Sequence, residues 1–333
     1  MKYHQFPGTD LSVSQLCFGC WGITSDSHWG QRVEDESVQA INAAIDAGVN
    51  FFDTAPMYAD GASERLLGKV LAENGCREKV IIGTKIRPGK MRRAEVKQEC
   101  EDSLARLQTD YLDLFQTHWT NPDVPIADTW GALRELQQQG KVRHIGVCNA
   151  GLGDLGDILE VQKPLTNQLP YNLLSRMIEF EIQPRCVQEQ IGILVYSPLM
   201  HGMLADKYRC AADVPDGRAR SRHFSTDRSQ ARHGEPGCET KTFAAIDRIR
   251  EIAAAADRSM PELALAWTIQ QAGVAGVIAG ARNAAQVRQN VGFLESPLSQ
   301  GTIDQLNDAT DELKDALGSN PDLWDGGQNA RYR

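Results

Sequence analysis

Four side chains that can hold or transfer a proton follow three successive apolar runs of the sequence. Asp53 comes directly after the apolar residues 49–52, and Tyr58 lies five positions further along. Lys85 ends the next apolar run, and His118 ends the one after that. Short apolar runs bounded by turn residues are typical of buried strands, where a carboxylate gains nothing from packing. The pattern therefore indicates a chemical role for these four side chains.

Together these side chains can form a proton relay. A phenol has an unperturbed pKa of about 10, which is too high for ready proton exchange near neutral pH. A cation within about 4–6 Å lowers the pKa of a phenol, so Lys85, held by Asp53, would make Tyr58 a usable general acid or base. His118 would donate a hydrogen bond to a carbonyl oxygen and orient it. We expect protonation of a carbonyl oxygen, with the hydride delivered by a cofactor.

Strand-like and helical patterns alternate eight times along the chain, which predicts a parallel sheet with helices outside it. Eight such units without a change in composition favour a closed (β/α)8 TIM barrel, with residues 1–333 as one domain. An N-terminal hairpin and two extra helices complete this prediction, and a helix over residues 178–190 is expected to break at Pro184. A doubly wound open sheet is the alternative, although no G-x-G-x-x-G follows the first strand.

The strands that follow the first four also end in polar residues. Asn149 follows the fifth strand, Gln168 lies in the sixth, Tyr196 ends the seventh, and Gly280 and Arg282 come at the end of the eighth. Active residues of such barrels lie at the C-terminal ends of the strands. One mouth of the barrel is therefore expected to gather polar and ionisable side chains.

The composition is typical of a soluble globular protein, with 41% hydrophobic and 24% charged residues among 333. A net charge of −9 argues against nucleic acid or an anionic membrane as a partner. The N-terminus has no apolar signal region, and no run reaches the length of a membrane span, so a cytoplasmic location is expected. The eight cysteines are expected to be reduced, and the single CxxC, Cys17 and Cys20, has no second pair to complete a zinc site.

Several ordered motifs resemble those of the aldo-keto reductases. Residues 53–68 resemble the signature D-T-A-x-x-Y-x-x-x-x-x-E-x-x-L-G of that family. Two departures are Cys148, where a serine is usual, and Ala279, where a proline is usual. The other segments that resemble family motifs are residues 83–85, 111–118, 140–149, 167–172 and 278–290. The similarity thus extends along nearly the whole chain.

The resemblance implies a barrel that binds NADP(H) in an extended pose without a Rossmann fold. It implies a catalytic tetrad of Asp53, Tyr58, Lys85 and His118, with Tyr58 as the proton donor. The residues implied at the cofactor are Gly22, Asp53, Asn149, Gln168, Tyr196, Ser197, Leu199, Lys207, Arg220, Gly280, Arg282, Gln286 and Asn290. The implied substrate pocket contains Trp21, Tyr58, His118 and Trp119.

Within the cofactor set, the resemblance implies distinct roles. Asn149 and Gln168 would hold the carboxamide of the nicotinamide, and Tyr196 would stack on its ring. Arg282 would pair with the 2′-phosphate, because arginine recognises phosphate through two parallel hydrogen bonds.

Two segments carry no periodic pattern. The long polar stretch of residues 200–239 is expected to help cover the cofactor. In the C-terminal tail, residues 318–333, Trp324 and Arg331 are candidates for the substrate pocket, as is Trp29, with ordinary packing as the alternative for each. The candidates for contact with the cofactor phosphates are Lys207 and one of Arg218, Arg220 and Arg222.

The expected function is an NADP(H)-dependent oxidoreductase that reduces a small aldehyde or ketone to an alcohol. The polar loop and tail weakly favour a sugar-like substrate, and the oligomeric state is left open. One alternative is an NADP(H)-binding redox-sensor subunit with slow turnover, which the tetrad does not exclude. A second alternative is a Schiff-base aldolase with Lys85 as nucleophile. The presence of Arg282 and Tyr196 argues against it.

Overall fold

The structure is a computed structural model that describes residues 1–25 and 30–333, apart from the side chain of Gln328. Trp29, a candidate for the substrate pocket, lies outside the described residues. The strands are β1 (Tyr3–Gln5), β2 (Ser12–Ser14), β3 (Leu16–Gly19), β4 (Phe51–Asp53), β5 (Ile81–Ile86), β6 (Leu112–Thr117), β7 (Val142–Cys148), β8 (Thr166–Pro170), β9 (Gly192–Tyr196) and β10 (Val274–Ala279). The α-helices are α1 (Glu34–Asp46), α2 (Ala62–Glu73), α3 (Arg93–Leu107), α4 (Ile126–Gln138), α5 (Leu152–Val161), α6 (Ile182–Gln188), α7 (Glu239–Ala255), α8 (Met260–Ile269), α9 (Ala284–Phe293) and α10 (Gln300–Leu317).

Strands β3 to β10 form a closed barrel, because β10 pairs with β9 on one side and with β3 on the other. All eight strands are parallel, and Phe52 of β4, for example, lies opposite Phe18 of β3 and Ile82 of β5. Parallel neighbours require a crossover connection, and a helix supplies it between successive strands. The predicted (β/α)8 barrel is confirmed, and the open doubly wound sheet is wrong.

The hairpin of β1 and β2 closes the N-terminal end of the barrel. Phe6, between its two strands, is buried in an inner cluster with Phe51, Leu114 and Leu194. A Cβ atom at Gly192, the first residue of β9, would overlap the ring of Phe6. The hairpin therefore fills this end of the barrel. A functional site is expected at the opposite end, where the strands finish.

The predicted break at Pro184 is wrong in its position. A short 3-10 helix spans Met177–Glu179, and α6 begins at Ile182. The interruption falls at Phe180 and Glu181, and Glu181 has a non-helical backbone. Pro184 lies in the first turn of α6, where its missing amide hydrogen would have had no partner within the helix. The proline therefore lies within the first turn of a helix here and does not break one.

The segment between β9 and α7 is packed, although its only helical turns are Met200–Ala205 and Ala211–Asp213. Arg222, in the middle of it, is only 6% exposed. Its guanidinium donates to the backbone oxygens of Leu317 and Asn320, each at 2.6 Å. Since these oxygens lie at the end of α10 and in the tail, the segment fixes where the tail leaves the last helix.

Three further observations concern the described part of the chain. None of its helices is both long and apolar enough to cross a membrane. Its His, Cys, Asp and Glu side chains form no group of three or more that could hold a metal ion. Its cysteines are free thiols, and Cys17 and Cys20 are both buried.

Candidate active site

Asp53 and Lys85 form a buried ion pair at the C-terminal end of the barrel. Asp53 ends β4, and Lys85 comes from the neighbouring strand β5. The Lys85 Nζ lies 2.9 and 2.7 Å from the two carboxylate oxygens and also donates to the backbone oxygen of Thr54 at 2.9 Å. The Lys85 side chain is 0% exposed. The barrel therefore holds a positive charge in a fixed place without contact to solvent.

Tyr58 brings its hydroxyl to this ion pair from the loop after β4. The hydroxyl oxygen lies 3.3 Å from the Lys85 Nζ. The Tyr58 ring stacks on Trp21, with centroids 5.9 Å apart and 22° between the ring planes. The loop turns back through left-handed backbone conformations at Ala59 and Asp60 (φ 47° and 49°). The phenol is thus fixed at the mouth of the barrel, facing the ammonium group.

Burial and a neighbouring cation act on the pKa of Tyr58 in opposite directions. Burial raises the pKa of the phenol, and the Lys85 ammonium lowers it by less, so the pKa of Tyr58 ends above its ordinary value. The expectation that Lys85 would lower the pKa overall is wrong for this reason. At neutral pH Tyr58 is protonated, which is the form that a proton donor needs.

Lys85 itself is charged. Burial is the largest single influence on the pKa of Lys85 and lowers it, but the Asp53 carboxylate, Tyr58 and Cys148 together raise the pKa by more, and the overall shift is upward. A protonated amine that is enclosed and already hydrogen-bonded is no nucleophile. The site therefore disfavours the Schiff-base aldolase.

His118 directly follows β6 and faces Tyr58 edge to face, with ring centroids 6.2 Å apart. Burial, Lys85 and Arg331 together lower the pKa of His118 to about 3. The imidazole is therefore neutral at neutral pH and carries one N–H. Its Nδ1 is enclosed and has no hydrogen-bond partner among the described residues. Nε2 is thus the ring nitrogen left to contact a bound carbonyl group.

Hydrogen bonds connect Asn149, Gln168 and Tyr196 to the residues just described. The Gln168 Nε2 donates to the Asp53 Oδ1 at 2.7 Å. The Asn149 Nδ2 donates to the backbone oxygen of His118 at 3.0 Å, and its Oδ1 accepts from the Tyr196 hydroxyl at 2.9 Å. Asn149 has a left-handed backbone (φ 57°), which asparagine adopts more readily than most residues. The structure thus brings the predicted nicotinamide contacts and the predicted tetrad into one network.

Lys207, Arg218 and Arg282 form a group of cations beside the barrel mouth. A Cβ atom at Gly202 would lie 3.6 Å from the Lys207 Cδ and 3.8 Å from the Arg218 Nη1. Burial lowers the pKa of Lys207, and the guanidinium groups of Arg282 and Arg218 lower it further. No carboxylate of the described residues forms an ion pair with any of these three cations. The group therefore carries uncompensated positive charge.

Arg220 and Arg222 have contacts of their own near the tail. Arg220 lines a small cavity beside the tail together with Arg232 and Trp324. Arg222 is buried, and besides the two backbone oxygens near the end of α10 it contacts Glu235 at 2.8 Å. Arg222 therefore holds the tail, and its guanidinium is not available to a phosphate.

Arg282 lies in a turn that begins α9. The Asn283 side chain caps the helix by accepting from the Gln286 backbone amide at 3.0 Å, and the Arg282 amide donates to the Gln286 Oε1 at 2.8 Å. The Arg282 side chain is exposed, whereas Asn290 is buried. The other residues predicted at the cofactor lie in the segments that follow β3, β9 and β10; they are Gly22, Ser197, Leu199 and Gly280.

The tail reaches the site and brings Tyr332, a residue that the sequence analysis did not assign. Its hydroxyl donates to the Asn149 Oδ1 at 2.7 Å. Its ring packs edge-on against Trp119 at 5.4 Å, and the Arg331 guanidinium lies 3.7 Å from the centroid of the same indole. Trp324 is further away, 5.8 Å from that guanidinium. The sequence shows aromatic residues and arginines in the tail, but nothing in it indicates which way the tail runs.

Comparison with known proteins gives a consistent result. The model of the aldo/keto reductase family matches residues 15–311. The chain is 33% identical to the methylglyoxal reductase YeaE of Escherichia coli (strain K12) over 311 residues, which cover 92% of this chain and 94% of that protein.

Two solved structures are similar over almost their whole length. The glycerol dehydrogenase AKR11B4 from Gluconobacter oxydans has a TM-score of 0.78 and 30% identity, covering 96% of this chain and 97% of that one. An aldo-keto reductase from Klebsiella pneumoniae in complex with NADPH has a TM-score of 0.71 and 28% identity, covering 100% and 99%. The chain therefore belongs to the aldo/keto reductase family, oxidoreductases that act on carbonyl and alcohol groups.

Proposed function

We propose that this protein is an NADP(H)-dependent carbonyl reductase in which Tyr58 donates a proton to the carbonyl oxygen. One observation carries the proposal: the Lys85 Nζ contacts both Asp53 oxygens and, at 3.3 Å, the Tyr58 hydroxyl. This contact joins a neutral proton donor to a fixed positive charge that can stabilise the donor after it has lost its proton.

The residues around the site fit NADP(H). The three cations Lys207, Arg218 and Arg282 lack a carboxylate partner among the described residues, and such a group suits a phosphate. Asn149 and Gln168 would hold the nicotinamide carboxamide beside the Asp53 carboxylate. When bound, the cofactor would supply the hydride that the protein's own side chains cannot provide.

The protein's own part in the reaction would be to move one proton and stabilise the resulting charge. The neutral His118 would donate a hydrogen bond from Nε2 and orient the carbonyl oxygen towards the Tyr58 hydroxyl. Tyr58 would then release its proton to that oxygen as charge develops on it. The phenolate that remains would be stabilised by the Lys85 ammonium, which Asp53 keeps in place. In the direction of alcohol oxidation the same phenolate would accept the proton.

We propose a small, polar and uncharged carbonyl compound as the substrate. Two indoles lie close to the site: Trp21 stacks on Tyr58, and Trp119, which directly follows His118, packs against Tyr332. The guanidinium of Arg331, which lies over the Trp119 ring, is neutralised by two 2.8 Å contacts with Asp322 and is therefore poorly placed to bind an anionic substrate. Two relatives are named for small uncharged polar compounds: methylglyoxal, which is a carbonyl compound, and glycerol, which is an alcohol.

The proposal is tested by following the oxidation of NADPH and NADH with a panel of aldehydes, ketones and sugars. We expect at least one small polar carbonyl to be reduced with kcat above about 1 s⁻¹, within the ordinary range of enzymes. Tight NADPH binding with kcat far below that value on every compound would overturn the proposal and support a redox-sensing subunit instead.

A further inference from the structure

The end of the tail is anchored on both sides of Tyr332. On one side, the Arg331 Nε and Nη2 each lie 2.8 Å from an oxygen of the buried Asp322 carboxylate. On the other side, the Arg333 Nε donates to the buried Asp154 Oδ1 at 2.7 Å. A chain end without such contacts is usually frayed. Tyr332 is instead fixed between two ion pairs.

The hydroxyl of Tyr332 completes the hydrogen bonding of one oxygen atom. The Asn149 Oδ1 accepts from Tyr332 at 2.7 Å and from Tyr196 at 2.9 Å. Burial raises the pKa of both phenols, so both remain protonated and act as donors. An amide oxygen has two lone pairs, and both are occupied here. One hydrogen of Nδ2 is used on the backbone oxygen of His118, so the other Nδ2 hydrogen is what Asn149 can offer a ligand.

Asn149 offers a ligand a hydrogen-bond donor, whereas Gln168 offers an acceptor. Its Nε2 donates to the Asp53 Oδ1 at 2.7 Å, which orients the amide and directs Oε1 away from the carboxylate. No side chain or backbone group of the described residues donates to that Oε1. The site therefore presents one N–H donor and one amide oxygen acceptor. A primary carboxamide requires this combination, because its oxygen accepts and its NH2 group donates.

We infer that Tyr332 is a positioning residue, which holds the Asn149 amide with its nitrogen towards the carboxamide of a bound nicotinamide. The inference rests on the proposed NADP(H)-dependent function. Without the Tyr332 hydroxyl, one lone pair of the Asn149 Oδ1 is unsatisfied, and rotation of the amide would exchange the donor for an acceptor. Tyr332 acts on the cofactor through Asn149, and its effect is confined to the nicotinamide end.

The test compares two ligands in equilibrium binding to the full chain. NADPH contains the nicotinamide, and adenosine 2′,5′-bisphosphate lacks it. For Tyr332→Phe we expect the Kd of NADPH to rise about five- to tenfold, the size of one buried hydrogen bond. The Kd of adenosine 2′,5′-bisphosphate should be unchanged. In an Asn149→Ala background, Tyr332→Phe should have no further effect on NADPH, since its partner is gone.

Tyr3→Phe is the matched control, because it removes a hydroxyl that bonds to the Gly48 backbone oxygen at the other end of the barrel. It should leave both affinities unchanged. Equal NADPH affinity in Tyr332→Phe and the wild type would overturn the inference, as would equal losses for both ligands. Tighter NADPH binding would also overturn it and would mean that the tail competes with the cofactor. A wild-type protein that does not bind NADPH would instead refute the proposed function itself.

Discussion

At Tyr58, burial and the charge of Lys85 shift the pKa of the phenol in opposite directions, and burial has the larger effect. Burial keeps the phenol protonated, and Lys85 is positioned to stabilise it once the proton has left. The types and order of these residues could be predicted from the sequence, because each follows a short apolar run. The net direction of the pKa of Tyr58 could not be predicted, because it depends on how deeply the loop after β4 places the phenol.

At the same scale, we expect the rate of carbonyl reduction to show no titration of His118 between about pH 8 and about pH 5. The pKa of His118 is lowered to about 3, so the imidazole stays neutral throughout, whereas an unperturbed histidine would gain a proton near pH 6.5. The measurement is kcat/KM against pH for the wild type and for His118→Gln. A step in kcat/KM near pH 6.5 that is absent from the variant would contradict this assignment.

The elements fall into two groups. Some have a local apolar periodicity in the sequence, and others are positioned by polar contacts between residues far apart in the chain. The barrel strands and most helices show a local pattern, and their existence could be predicted. The path of the tail depends on contacts such as that of Arg222 with the Asn320 backbone oxygen, which joins residues 98 positions apart. No short window of sequence contains such a contact. For this reason Tyr332, which the tail carries into the site, could not be assigned from the sequence.

Replacement of Arg222 tests how the loop and tail are connected. Arg222→Met removes the donors to two backbone oxygens near the end of α10, and we expect the free energy of unfolding to fall by about 2–4 kcal/mol. The tail should also become more susceptible to protease. Denaturant unfolding and limited proteolysis measure the two effects. Arg209→Met is the control, because the Arg209 side chain is exposed and, among the described residues, its ion pair is with Asp206. A similar result for both variants would show that Arg222 has no special role.

In the whole molecule, apolar packing closes one end of the barrel and the ionisable site lies at the other end. The hairpin fills the N-terminal end, and the ionisable groups meet at the opposite end. A net charge of −9 repels an anionic cofactor at long range, and the cations Lys207, Arg218 and Arg282 oppose that effect locally. The fold class could be predicted from eight alternating units. The resemblance to a family implied cations near the cofactor phosphates, but it left open which of Arg218, Arg220 and Arg222 joins Lys207, because that depends on how the segment between β9 and α7 packs.

The cation group predicts a preference for NADPH. For Arg282→Ala we expect the Kd of NADPH to rise about tenfold and the Kd of NADH to stay the same, because only NADPH carries the 2′-phosphate. Raising the salt concentration should weaken NADPH binding more in the wild type than in the variant. Arg288→Ala, on the exposed side of α9, is the control. Equal losses for NADPH and NADH would place Arg282 away from the 2′-phosphate.

The central claim is that Tyr58 donates the proton, and one substitution tests it most directly. For Tyr58→Phe we expect kcat for carbonyl reduction to fall at least about 100-fold, while the Kd of NADPH changes by less than about twofold. Tyr111→Phe is the matched control, because the Tyr111 ring contacts two guanidinium groups outside the site. It should retain full activity. Turnover by Tyr58→Phe close to that of the wild type would contradict the claim.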